Sequence, residues 1–122
     1  MVRVKIYHPN MEDELSTTIE GLIDSGGPIS LMPIDVPEEL ILHEAGECNV
    51  TGVGLVPRKS PVYYPAVRLE GWDQEFPAVR FALWDGDYAI LGRSLLNRFY
   101  LALSGPEARY RISLQPPPHE DP

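Results

Sequence analysis

Leu22-Ile23-Asp24-Ser25-Gly26-Gly27 places an acid between two apolar residues and three small ones. Asp, Ser and Gly all form turns, so the acid triplet alone fits a surface turn. Upstream, Leu15, Thr17 and Ile19 alternate with polar neighbours, a strand pattern that runs into Gly21-Leu22-Ile23. Ile23 suggests a buried strand end, where a carboxylate is costly unless it is hydrogen-bonded. The small residues after Asp24 would let backbone N–H groups approach its oxygens.

The rest of the chain predicts short strands and turns. Thirteen prolines and ten glycines interrupt it too often for long helices. Val2, Val4 and Ile6 alternate with Arg3, Lys5 and Tyr7 as a half-buried strand, and Pro9-Asn10 turns the chain. Asp24 to Pro28 ends the second strand, and Ile29 to Ile34 is a short apolar run expected as another. Asp35 and Glu38 stand at the N-cap and capping-box positions of a short helix around Pro37, although Leu40-Ile41-Leu42 reads equally well as strand. Cys48 to Val53 and Val62 to Leu69 are expected strands around a Gly- and Pro-containing connection. Glu75 to Trp84 is expected as one strand turned at Asp85-Gly86-Asp87, and Tyr88 to Leu91 as a short strand ending at Gly92. Arg93 to Phe99 is the best helix, with Leu95, Leu96 and Phe99 on one stripe. Tyr100 to Leu103 and Ala108 to Leu114 are expected to pair as a final hairpin. The whole reads as one domain over 1–114, followed by a Pro-rich, disordered tail over 115–122.

Composition narrows the function classes. Ten Lys and Arg against eighteen Asp and Glu give a net charge of −8, which disfavours nucleic acid and anionic membranes as partners. Between Ile6 and Pro57 there is no Lys or Arg, so a solvated acidic face is expected, or attraction between the two halves or across a dimer. No apolar run is long enough to span a bilayer, and Met1 to Pro9 lacks the apolar core of a secretory signal, so a cytoplasmic location is expected. Cys48 stands alone, which excludes an intrachain disulfide and a cysteine zinc site. His8, His43 and His119 lie far apart, so neither a metal nor another cofactor is expected. Gly54 to Ser60 departs from a phosphate loop at Arg58, and Gly52-Val53-Gly54 from a dinucleotide fingerprint at Pro57. Ser25 has no evident His partner for serine catalysis.

Two further pieces accompany Asp24. Ala89-Ile90-Leu91-Gly92-Arg93-Ser94-Leu95-Leu96 reads as a strand, a glycine turn and a core helix. Val50-Thr51-Gly52-Val53-Gly54-Leu55 reads as a mobile hairpin turn, and glycines around one exposed apolar residue also suit a cover that closes over a ligand. With the Asp-Ser-Gly triplet, in this order, these pieces resemble the retropepsin-like aspartic proteases, from about Thr18 to Leu103. The resemblance implies an all-β, closed, antiparallel barrel-like domain with one short helix in the C-terminal third. It implies Asp24 as the catalytic aspartate and Ser25 as the hydroxyl that locks the active-site loops across a dimer. Gly26 and Gly27 become the cleft floor, and Gly52, Val53 and Gly54 a substrate-binding flap tip. Ile90 becomes a hydrophobic wall, with Tyr88 two residues along it. Gly92 becomes a close strand–helix passage, and Arg93 the helix arginine that often pairs with an acid after the triplet. Here Pro28 and Ile29 stand where retroviral enzymes often carry acids, so Arg93 must find another partner. Leu55 replaces a usual flap glycine, and the expected hairpin through Leu114 extends past the retroviral pattern.

Aspartic proteolysis uses two carboxylates sharing one proton. Asp35, Asp73, Asp85 and Asp87 lack the context of Asp24, so the second carboxylate is expected from a second copy in a homodimer. The expectation is an aspartic endopeptidase acting on peptides or proteins. The alternatives are a catalytically silent domain of this type serving dimerisation or peptide binding, and a plain β-barrel with a coincidental motif.

Overall fold

The computed structural model describes residues 1–52, 55–72 and 74–103 of the 122-residue protein. The elements in chain order are β1 (Val2–Tyr7), β2 (Ser16–Ile23), β3 (Ser30–Pro33), α1 (Val36–Glu39), β4 (Glu47–Gly52), β5 (Leu55–Pro61), β6 (Ala66–Leu69), β7 (Glu75–Phe76), β8 (Phe81–Trp84), β9 (Ala89–Leu91) and α2 (Arg93–Leu103). Among the described residues, seven strands form one sheet in the order β7-β6-β1-β2-β9-β3-β8, and β4 and β5 form a separate two-stranded ribbon. The expected β1 and β2 alternation is present, with Val4 opposite Ile19 and Tyr7 opposite Ser16.

The sheet is mostly β, as expected, but it curls into an open half-barrel and is not closed. Nor is it wholly antiparallel: β2 runs parallel to β9, and β3 parallel to β8. The outer edge of β8 is occupied by the Tyr63 backbone, which exchanges two hydrogen bonds with Phe81, and by side chains of the ribbon. Ser60 Oγ accepts the Leu83 N–H at 2.9 Å, and Arg58 donates to the Leu83 carbonyl. That strand's polar groups are thereby used without a further strand.

Adjacent residues on the central strands face opposite ways and divide the core in two. Met32, Phe81 and Leu91 join Val4, Ile6, Val67, Phe76 and Leu95 on one side. Leu31, Ala82 and Ile90 join Val50, Cys48, Ile29 and Trp84 on the other, beneath the ribbon.

Several local expectations are corrected. The Gly- and Pro-containing connection after Cys48 is itself a strand, β5, paired with β4 across an irregularity between Val50 and Gly52. Pro57, which has no N–H to donate, falls opposite that irregularity. Glu75 to Trp84 is two strands, because Pro77 and Ala78, the latter at φ 59°, break it. Asp35 occupies the N-cap of α1 but makes no side-chain capping bond; its backbone is helical (φ −82°, ψ −18°), not the extended shape a cap needs. Tyr100 to Leu103 belong to α2 and not to a hairpin strand. No Gly or Pro interrupts the chain from Arg93 to Leu103, so the helix begun by Leu95 and Leu96 continues. Ala108 to Leu114 and the tail over 115–122 lie outside the described residues. No described helix is long and apolar enough to cross a membrane.

At the far end of the sheet, the turn after β1 is tied down by charge. Glu12 accepts from Lys5 Nζ at 3.1 Å and from Arg68 Nε at 2.9 Å. Tyr7 is buried beside them and donates its hydroxyl to Glu75 at 2.5 Å.

Candidate active site

β2 delivers Asp24 to the point where its neighbours run out. Val2, the first residue of β1, pairs with Gly21, so beyond it only β9 flanks β2. Ile23 is therefore not the buried strand end its sequence suggests: it is 38% exposed and Leu22 is 40% exposed. Asp24 is exposed as well. Its backbone N–H donates to the Leu91 carbonyl at 3.0 Å, which fixes its height above β9.

The loop after it orients the carboxylate. Gly26 N–H donates to Asp24 Oδ1 at 3.1 Å, and Gly27 N–H to the Asp24 carbonyl at 3.2 Å. A β-carbon on Gly27 would stand 3.3 Å from Asp24 Oδ2, so only a very small residue leaves the carboxylate where it is. Ser25 is exposed at the crest of this loop.

To reach β3, the loop must cross the end of β9, because β9 lies between β2 and β3. Gly92 sits at that crossing. A β-carbon there would meet the Ile29 carbonyl oxygen at 2.5 Å and the Gly27 carbonyl oxygen at 2.7 Å. The crossing thus leaves no room for a side chain at position 92. Arg93 opens α2, and its N–H donates to the Gly27 carbonyl at 2.7 Å. Its guanidinium, lacking an acid at Pro28 or Ile29, donates to the carbonyls of Ser25 and Gly26, each at 3.3 Å. Asp24, Gly26, Gly27, Gly92 and Arg93 thus converge on one crossing.

Ile90, Tyr88 and the β4–β5 ribbon lie alongside this crossing. Ile90 pairs in register with Leu22 and packs into the cluster of Leu31, Val50 and Ala82. Tyr88 is half-buried and meets Trp84 edge-on at 4.9 Å, while Trp84 Nε1 donates to the Tyr88 carbonyl at 2.9 Å. Trp84 also packs against that cluster, so an aromatic pair extends the wall beyond Ile90. The ribbon reaches the wall through Val50, and Gly52 pairs with Leu55 at its end. Val53 and Gly54, the expected flap tip, lie outside the described residues.

Two polar residues escaped the sequence reading. Ser30 is fully buried in the strand after the loop, and its hydroxyl meets that of Ser94 at 2.8 Å. The available signal was Ser30 itself, a hydroxyl within the apolar run Ile29 to Met32 that has to be satisfied once buried.

One carboxylate held this way can act as a base toward water. It cannot at the same time supply the acid that polarises a carbonyl. No family model and no curated protein matches the sequence. The fold is similar to that of a foamy viral protease-reverse transcriptase solved with an RNA/DNA hybrid, with TM-score 0.56 and 18% identity over 80% of this chain and 12% of that one. It is likewise similar to the foamy viral protease-reverse transcriptase dRH solved with double-stranded DNA, with TM-score 0.54 and 17% identity over 80% of this chain and 15% of that one. The protein therefore spans a small part of either chain, and the likeness is one of fold, consistent with a retroviral-protease-like domain.

Proposed function

We propose that this protein is an aspartic endopeptidase whose active site forms between two copies of the chain. The observation that carries the reading is the Asp24 carboxylate, exposed at a strand end and oriented by the Gly26 N–H, in a fold similar to that of viral protease-reverse transcriptases. Two observations support the second copy. The Asp-Ser-Gly triplet occurs once, and Leu22 and Ile23 leave an apolar surface beside it that a partner would cover.

The reaction needs one proton on the pair of aspartates. The ionised Asp24 takes a proton from water as the oxygen attacks the scissile carbonyl carbon. The protonated Asp24 of the other copy gives its proton to the carbonyl oxygen. The tetrahedral diol then collapses: one hydroxyl gives its proton to the counterpart aspartate, now ionised, Asp24 gives the proton it took from water to the amide nitrogen, and the C–N bond breaks to acid and amine. The wall of Ile29, Ile90 and Tyr88 would flank an extended peptide, with the ribbon as its cover.

The test is hydrolysis of a denatured-protein mixture by wild type and Asp24→Asn across pH 3 to 8. Cleavage by wild type alone, with a bell-shaped pH profile on the acid side of neutral, is expected. Equal cleavage by both removes Asp24 from the chemistry. No cleavage by either, with both binding extended peptides, replaces the enzyme with a binding module.

A further inference from the structure

We propose that Ser30 and Ser94 are positioning residues for Asp24, acting through a one-way chain of hydroxyl groups beneath the active-site loop. The proposal rests on the endopeptidase reading of this site. It starts from burial: Ser30 is 0% exposed, and a hydroxyl so placed is costly unless it is hydrogen-bonded.

The direction of each bond is fixed. A serine hydroxyl has one proton and two lone pairs. Ser94 Oγ donates its proton to the Arg80 carbonyl at 2.8 Å. It therefore accepts at its 2.8 Å contact with Ser30 Oγ, and it also accepts the Ser30 N–H at 3.0 Å. Ser30 Oγ in turn accepts the Gly92 N–H at 3.0 Å. The chain runs from Gly92 through Ser30 and Ser94 to Arg80, with each hydroxyl proton used once. It ties together β3, the β9–α2 junction and the segment entering β8.

Its upper end is the crossing under Asp24. Gly92 is held from below by Ser30, and its successor Arg93 donates to Gly27 at 2.7 Å. Gly27 donates its N–H to the Asp24 carbonyl at 3.2 Å, and a β-carbon on it would crowd Asp24 Oδ2. A shift of Gly92 thus reaches the Asp24 backbone through the Gly92–Arg93 peptide unit, the Arg93–Gly27 hydrogen bond, Gly27 itself and the Gly27–Asp24 hydrogen bond, and the carboxylate moves with that backbone. Neither serine contacts Asp24, so the effect is on placement, to which reacting groups are steeply sensitive.

Ser94→Ala removes the central acceptor, and Ser94→Thr keeps a hydroxyl at a half-buried helical position. In peptide hydrolysis, Ser94→Ala should lower kcat about tenfold with KM nearly unchanged, and Ser94→Thr should recover most of it. In carbon-13-labelled protein, Ser94→Ala should also move the Asp24 carboxyl resonance, and Ser94→Thr should restore it. Ser30→Cys, which keeps size but weakens each bond, serves if Ser94→Ala does not fold and should show the same changes in smaller measure. A wild-type kcat in the folded variant, a rise in KM alone, or a lowered kcat with an unmoved Asp24 resonance overturns the proposal. If wild type hydrolyses nothing, the endopeptidase reading fails by itself. The resonance then decides the relay: movement restored by Thr upholds it, and no movement overturns it.

Discussion

The N–H of Arg93 donates to the carbonyl of Gly27 at 2.7 Å, so the first residue of α2 and the third residue after Asp24 are one hydrogen bond apart. The relationship joins two motifs that are distant in sequence. It also divides the duties of Arg93: its backbone holds Gly27 while its guanidinium holds Ser25 and Gly26. The loop carrying Asp24 is thereby supported from one helix end.

Gly92 should be the least replaceable residue of this crossing. In Gly92→Ala the new methyl meets carbonyl oxygens at 2.5 Å and 2.7 Å, and backbone yields less readily than side chain. Destabilisation of about 1–3 kcal/mol is expected, read as a lower urea midpoint at unchanged slope. Gly26→Ala is the control, since its methyl would lie 3.4 Å from Asp24 Oδ1, and it should cost about 0.5 kcal/mol or less. Equal midpoints for the two variants would contradict the crossing geometry.

Arg93→Ala removes both guanidinium bonds from an exposed site. Stability should fall by about 1 kcal/mol, and Arg93→Lys should restore only part of it, because both bonds come from one terminal nitrogen that the shorter lysine side chain does not carry as far. Amide exchange at Gly26 and Gly27 should quicken in Arg93→Ala. Unchanged exchange there would separate the guanidinium from the loop.

Much of this arrangement is legible in the sequence, and the remainder has physical reasons for being hidden. The alternation of Val2, Val4 and Ile6 announces β1 because one face is buried and the other is not. The close passage at Gly92 is implied by the resemblance and not by any local pattern, and the structure leaves no room for a side chain there. The end of β2 misleads, because burial of Ile23 depends on where β1 starts and no local pattern encodes that. β5 is obscured by Pro57, which a paired strand admits only at an irregular position. The continuation of α2 to Leu103 is a competition between two local preferences, decided by the absence of a breaker. Ser30 is signalled only by its place in the apolar run Ile29 to Met32, and Ser94 is silent because a serine reads as a turn or surface residue until its burial is known.

Acid should loosen the turn after β1 through Glu12. Hydrogen bonds from Arg68 and then Lys5 hold its carboxyl at about 2, below the ordinary 4.5. The unfolded chain therefore binds that proton more readily than the folded one. The stabilisation is complete above about 4.5 and is lost as pH falls toward about 2. Wild type should lose more thermal stability than Glu12→Gln across that interval, and less so at high salt, which screens an exposed cluster. Parallel melting curves for the two proteins would exclude Glu12 from the acid response.

Ile23→Glu should separate folding from assembly. Ile23 is 38% exposed in the single chain, so a charge there costs the fold little, and circular dichroism should remain that of wild type. If a second copy covers this residue, each copy of the variant loses burial of the remaining 38%, about 0.5–1 kcal/mol, and pays for burying a charge as well. Dimer dissociation should then strengthen by tenfold or more in sedimentation equilibrium. Self-association as tight as that of wild type would remove Leu22 and Ile23 from the interface.

Mixing wild type with Asp24→Asn tests whether one reaction uses carboxylates from two chains. Asn has nearly the shape of Asp and can still accept the Gly26 N–H, so the variant should fold and dimerise with wild type. It cannot ionise, so a mixed dimer has one carboxylate and no partner to share a proton with. In an equilibrated equal mixture about a quarter of the dimers carry two wild-type chains, by random pairing of a two-fold assembly. Activity should therefore fall to about a quarter of that of wild type at the same total concentration. A chain that worked alone would be diluted only to about half, since each wild-type copy would keep its own site. The curve of activity against wild-type fraction should be quadratic, and a straight line would mean that Asp24 acts without its counterpart.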